Sequence, residues 1–288
     1  MNSDQMNSVH MNSVHKNQVH LFDSHCHLDF EAFEADRDEV VKAARAAGIV
    51  RIVNPGIDLE SSQAAIRLGE EYPEVYAAVG VHPNDAARSW MAETPAQLRS
   101  LAGLPKVVAI GEIGLDYYRE WTAPDLQKQV FGAQLALATE LGLPVIVHCR
   151  QAFPDTLAML TDWVGGLRQA GSVLVERPGV LHSFSGSLED ARQALAIGFK
   201  IGITGPVTFR NAKELQLVAA ELPLEQLLIE TDAPFLTPHP RRGERNQPAY
   251  VEWVARKIAE IRGCPFETVA SQTTTNAEWL FVGRKVAC

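Results

Sequence analysis

Eight short runs of β-branched and aliphatic residues recur along this chain with longer segments of helical spacing between them, and that alternation constrains its fold more than any other feature. The runs lie at 19–25, 49–55, 75–82, 106–114, 144–150, 179–184, 198–205 and 225–232. Helical spacing covers 36–47, 59–71, 94–102, 123–141, 153–170, 188–197 and 211–221, with two further segments after the last run. Strands alternating with helices imply βα units and a parallel sheet. A length of 288 residues leaves a doubly wound sheet and a barrel both open. The strand count decides between them, because eight strands with interleaved helices in about 270 residues are what a (β/α)8 TIM barrel needs. The expected fold is therefore a single α/β barrel domain.

Local signals agree with this pattern. Gly48 and Gly198 stand where a left-handed residue ends a helix, and Pro144 stops the preceding helix at Gly142. The stretch 236–250, rich in Pro, Arg and Gly, is the one long irregular segment. It follows the eighth strand and so belongs to the face where barrel enzymes work. The first 20 residues are a polar five-residue repeat (MNSDQ, MNSVH, MNSVH, KNQVH), of which 1–19 are expected as a disordered low-complexity tail, which leaves 20–288 for the barrel.

A composition of 46% hydrophobic and 21% charged residues supplies a sizeable core and excludes general disorder. The formal net charge of -9 argues against holding nucleic acid by overall positive potential, so any such partner must be gripped locally. Cys26, Cys149, Cys264 and Cys288 form no close CxxC pair, which fits a reducing cytoplasm rather than a disulfide framework. No apolar stretch approaches the roughly 18–20 residues of a membrane span. A soluble cytoplasmic monomer is the expectation.

The residues that carry chemistry gather at the ends of the predicted strands. His25 and His27 flank Cys26 at the end of the first strand, and a side-chain period of two points both imidazoles one way. A single HxH occurs often by chance. Here Glu112, His148, His182 and Asp232 close the fourth, fifth, sixth and eighth strands, and in a barrel these ends ring one mouth. Four imidazoles and two carboxylates suit Zn²⁺, Mn²⁺ or a similar ion, with Mg²⁺ acceptable in a partly hydrated site. Glu112 lies between the two histidine sets and can bridge, so two divalent ions are the natural count.

Further groups are in phase with these. Arg150, two residues past His148, can face the mouth and grip a phosphate, and His82 before Pro83 points at the same cavity as a substrate contact. Glu230 and Asp23 sit one layer below Asp232 and His25, where they are expected to orient those ligands. Asp116 and Tyr117 could border the substrate. Arg241, Arg242 and Arg245 form the one basic cluster of note, either a backbone-tracking patch or a solvated loop.

The blocks DSHCHLD (23–29), VGVHPND (79–85), AIGEIGLDYY (109–118), PVIVHCR (144–150), LHSFSG (181–186), KIGITG (200–205) and LLIETDAPFL (227–236) together resemble the TatD deoxyribonucleases of the amidohydrolase-like barrel superfamily. The resemblance spans about residue 20 to the end of the chain. It implies a distorted TIM barrel and a divalent-metal-dependent nuclease, with 3′-5′ exonuclease activity on DNA, single-stranded or at 3′ ends. It also implies that His25, His27 and Asp232 hold one ion and His148 and His182 the other, with Glu112 shared, and that Asp232 doubles as the general base. The family commonly carries Cys where Ser183 stands and a second His where Asn84 stands, which unsettles nearby substrate contacts and leaves the ligand set intact.

Two other functions compete with this one. An ester or amide hydrolase, such as a D-aminoacyl-tRNA deacylase, would use the same two-metal site against a carbonyl carbon. A non-catalytic metal- or nucleic-acid-binding protein would keep the shape and lose ligands, whereas all six are present.

Overall fold

In the computed structural model, which describes residues 19–283, the eight apolar runs become eight parallel strands hydrogen-bonded in chain order. They are β1 (Leu21–Asp23), β2 (Ile49–Pro55), β3 (Val75–Val79), β4 (Val107–Asp116), β5 (Val145–Arg150), β6 (Gly179–Leu181), β7 (Lys200–Ile203) and β8 (Leu227–Ile229). Between them run α1 (Arg37–Ala46), α2 (Leu59–Glu71), the single turn α3 (Ala86–Ser89), α4 (Thr94–Ala102), α5 (Pro124–Leu141), α6 (Phe153–Gln169), α7 (Leu188–Ala196) and α8 (Lys213–Glu221). Two more, α9 (Val251–Arg262) and α10 (Phe266–Ala277), follow β8. This is the expected (β/α)8 TIM barrel. The tail expected over 1–19 lies, apart from Val19, outside the described residues. Among the described residues no helix is long and apolar enough to cross a membrane.

Local chemistry explains several helix boundaries. Asp58 and Ser187 cap α2 and α7 through reciprocal bonds with Ser61 and Asp190. Gly142 ends α5 with φ 66°, the left-handed stop expected before Pro144.

Alternation along the strands sorts their side chains into two layers. Val145 and Val147 of β5 face the helices, while Ile146 joins Phe22, Val53, Ala78, Val108, Val180 and Leu228 in an inner layer that also takes up Leu280 and Phe281. Each fully buried side chain of this size contributes about 1.5–3 kcal/mol over leaving it in water. His148 and His182 lie two residues beyond Ile146 and Val180, so the polar mouth sits directly on this inner layer.

The barrel closes imperfectly between β8 and β1. No ladder joins them, and the seam is held by Ser24 N–H to Ile229 O (3.2 Å), Asp232 N–H to His25 O (2.9 Å) and His27 N–H to Ala233 O (2.9 Å). β1 and β8 at this seam, and β6 elsewhere in the sheet, are shorter than the apolar runs predict. His25 and His27, His182 and Asp232 stand just beyond the ends of these strands rather than on them, while Glu112 and His148 remain inside β4 and β5. The chain leaves the ladder at these points and turns the side chains over the mouth.

Candidate metal centre

All six expected ligands converge. Nε2 of His25 and His27 are 3.2 Å apart, and each is 3.7 Å from Oδ1 of Asp232. The two carboxylate oxygens of Glu112 divide between the histidine pairs. Oε2 is 3.3 Å from His25 and 3.6 Å from His27, whereas Oε1 is 2.9 Å from Nδ1 of His148 and 2.8 Å from Nε2 of His182. Donors held 2.0–2.1 Å from one tetrahedral ion stand about 3.3 Å apart, so this spacing fits a cation at each end of Glu112. Two bare imidazole nitrogens at such a distance have little to offer each other otherwise. The groups His25/His27/Asp232, His25/Glu112/His182 and His82/Glu112/His148 each bring three donor atoms within 4.8 Å of one another.

Glu112 reaches the centre because the register between β4 and β5 shifts between Ile110 and Ile113, which breaks simple alternation. Gly114, beyond the shift, lets β4 press against β5. A Cβ there would fall 2.0 Å from the carbonyl oxygen of His148.

The seam has its own supports. Asp23 accepts from the backbone N–H (2.9 Å) and hydroxyl (2.6 Å) of Thr231, next to Asp232. It thus pins the eighth-strand loop rather than the ring of His25, contrary to the in-phase expectation. Glu230 accepts from Ser24 Oγ and from the backbone N–H of Ser183, with His182 Nδ1 3.7 Å away, so it ties the loop after β6 to the seam. Asn246 is buried and donates to the carbonyls of Thr231 and Phe235. Nothing in the sequence pattern singled it out.

Burial governs the electrostatics. It lowers His25, and it lowers His27 to about 3 with help from the neighbouring His25, so both rings are neutral donors. Burial alone would raise Glu112, yet the surrounding His182, His82 and His25 hold it well below the ordinary range. Asp232 is pushed up to about 7 by burial against the pull of His25. His148 moves the other way. Although burial opposes it, hydrogen bonds to Asp116 and Glu112 raise it to about 9. Imidazoles around an ionised carboxylate are a donor set suited to a divalent ion once His148 has given up its proton.

His82 is different. Its Nδ1 accepts the backbone N–H of Asn84 (3.1 Å), which leaves the proton of the neutral ring on Nε2, 3.6 Å from Glu112 Oε1. Burial, reinforced by His148, keeps its value near 3. His82 therefore presents an N–H to the mouth rather than a lone pair.

Around these groups lies a cavity of about 740 Å³, bordered by Arg150, Arg119, Trp121, Lys213 and Phe235. Arg150 does face it, with its guanidinium 3.8 Å above the ring of Tyr118. The loop arginines do not. Arg241 pairs with Glu244, Arg245 forks onto Asp36, and Arg242 lies over Phe209, so the basic cluster is consumed within its own surroundings. Tyr117 bonds Asp155. Asp116, by contrast, sits against His148 and takes Asn84 Nδ2 at 3.0 Å, the residue where the family pattern carries a second His.

Residues 22–282 match the family model described as TatD related DNase. The chain belongs to the TatD-related DNase family. Its TatD relatives include the uncharacterized metal-dependent hydrolase YabD of Bacillus subtilis (strain 168), 45% identical over 91% of this chain and 98% of that one. The 3'-5' ssDNA/RNA exonuclease TatD of Citrobacter rodentium is 41% identical, covering 91% and 97%. Among solved structures, YJJV, a TatD homolog from Escherichia coli k12, superposes with a TM-score of 0.83 at 33% identity over 91% and 98% of the two chains. Membership makes this chain a metal-dependent hydrolase acting on ester bonds, on the barrel expected from its sequence.

Proposed function

We propose that this chain is a divalent-metal-dependent exonuclease that removes nucleotides from the 3′ ends of single-stranded DNA. His25, His27 and Asp232 would hold one ion and His148 and His182 the other, with Glu112 between them. The observation that carries this is the division of Glu112, with Oε2 turned to His25 and His27 and Oε1 to His148 and His182. Bound ions would supply a water acidic enough to ionise near neutral pH and positive charge beside the phosphoryl oxygens. The donor set suits Mn²⁺ or Zn²⁺, and Mg²⁺ with added waters.

The chain's own residues supply the rest. Asp232, beside both first-strand histidines, receives the proton of the attacking water. His82 donates a hydrogen bond from Nε2–H to a phosphate oxygen, a role secured by the Asn84 backbone bond at its other nitrogen. Arg150, stacked and without an ion pair among the described residues, keeps its N–H edge free for a phosphate.

The test is release of mononucleotides from 3′-labelled single-stranded DNA in EDTA and then with Mg²⁺, Mn²⁺ and Zn²⁺ separately. The proposal expects cleavage with at least one ion and none in EDTA. Intact DNA under all three ions, with hydrolysis of a D-aminoacyl ester instead, would overturn it.

A further inference from the structure

Four side chains at the lip of the mouth alternate cation and ring. Arg150 lies 3.8 Å above Tyr118, Arg119 stands 5.4 Å from the same ring, and Arg119 is 5.1 Å from the ring of Trp121. Arg150 sits at the end of β5, two residues past His148, and the others follow β4, which carries Glu112. Tyr118 is 49% and Trp121 66% exposed, so both side chains reach solvent. Both guanidinium groups lack an ion pair or side-chain hydrogen bond among the described residues, whereas Arg45, Arg88, Arg99, Arg245 and Arg256 are all spent on carboxylates.

Packing does not account for this arrangement. Exposed rings held beside uncommitted cations, on a chain with a net charge of -9, fit a ligand that brings its own flat faces and negative charges. A single nucleic-acid strand has both, since its unpaired bases stack on aromatic rings and its phosphates meet guanidinium groups. A duplex hides its base faces within its own stack.

We infer that the Arg150–Tyr118–Arg119–Trp121 ladder is the platform on which the strand entering the centre lies, with a base on Trp121 and phosphates on Arg119 and Arg150. It thereby selects unpaired ends over duplex. This rests on the nuclease function proposed above, but its test is binding rather than cleavage, so the two can fail separately.

The experiment measures fluorescence anisotropy of a 3′-labelled oligothymidylate and of a blunt duplex of the same length, at low ionic strength, with EDTA-treated full-length protein. Trp121→Ala is expected to weaken single-strand binding by about 10- to 100-fold, as loss of a base-stacking ring does. Trp121→Phe should restore most of it, and Arg119→Gln should flatten the salt dependence. Duplex binding should be weak and the same for every variant. The inference is overturned if Trp121→Ala binds the oligonucleotide as tightly as the wild type, if duplex binds as well as single strand, or if the wild type binds neither. Ladder-dependent binding by a protein that cleaves no DNA with any ion would refute the nuclease function and leave the platform standing.

Discussion

Oδ2 of Asp116 lies 3.1 Å from Nε2 of His148, while Nδ1 of the same ring lies 2.9 Å from Glu112. His148 is thus clamped between an inner carboxylate at the centre and an outer one behind it, the arrangement that fixes the orientation and basicity of a metal-ligating imidazole. The other oxygen of Asp116 accepts the backbone N–H groups of Tyr118 and Arg119, so one carboxylate orients both the proposed ligand and the loop that follows β4. Asp116→Asn keeps the shape and loses the charge. We expect about 10- to 100-fold weaker metal affinity and a lower unfolding midpoint of the metal-free protein, read by Mn²⁺ titration and thermal denaturation.

The same clamp predicts proton release. Held near 9, His148 of the metal-free protein is an imidazolium at pH 7–8, and a ligating ring must be neutral. Metal uptake should therefore expel about one proton from His148 at neutral pH, with a further fraction from Asp232, held near 7, and the release should fade as pH rises through about 9. Calorimetry in buffers of different ionisation enthalpy measures this directly. A binding enthalpy independent of buffer at pH 7 would show that His148 carries no proton to lose.

Asp23 links the seam to pH. Burial raises its carboxyl from 3.8 to about 7, against the hydrogen bonds from Thr231 and His25 that lower it. A folded value above the unfolded one means that its stabilising contribution is complete below about pH 4 and drains away as pH climbs to about 7. Asp23→Asn removes that dependence. In metal-free protein, the stability of wild type relative to Asp23→Asn should fall steadily between these limits in denaturant unfolding. Parallel curves would mean that Asp23 titrates normally.

Two glycines offer a contrast in backbone tolerance. At Gly114 the φ of +138° and a Cβ position 2.0 Å from the His148 carbonyl oxygen leave no room, so Gly114→Ala should cost more than about 2 kcal/mol and displace His148. Gly142 has φ +66° with nothing within 4 Å of an added Cβ, and Gly142→Ala should cost only about 1 kcal/mol with metal affinity intact. Urea unfolding and metal titration of both variants separate strain from collision.

The barrel was legible in the chain because each strand announces itself by β-branched periodicity and helix ends by Gly and Pro, so that α2 and α4 fall where the spacing puts them. The six donors were legible for a related reason, since polar residues after apolar runs stand out. What alternation could not deliver were the departures from it. The β4 shift that presents Glu112, and the early exit from β1 that sends Asp23 to Thr231, depend on pairing across strands far apart in sequence. Arg245 reads as part of a basic patch because its partner Asp36 lies 209 residues away and becomes a neighbour only through the fold, whereas the partner of Arg241, Glu244, stands three residues on in the same loop. Arg119 and Trp121 gave no signal at all, since a loop cation and a loop ring acquire meaning only when Arg150 and Tyr118 arrive beside them.

Six side chains act as one metal centre in the proposed cleavage of a nucleic-acid strand. Chelated protein titrated with Mn²⁺, with bound ions and mononucleotide release from single-stranded DNA measured on the same samples, tests this most directly. The expected result is no release before ions bind, and release that climbs with occupancy to a plateau at about two ions per chain. Full activity with no ion bound, or two ions bound with no nucleotide released, would contradict it.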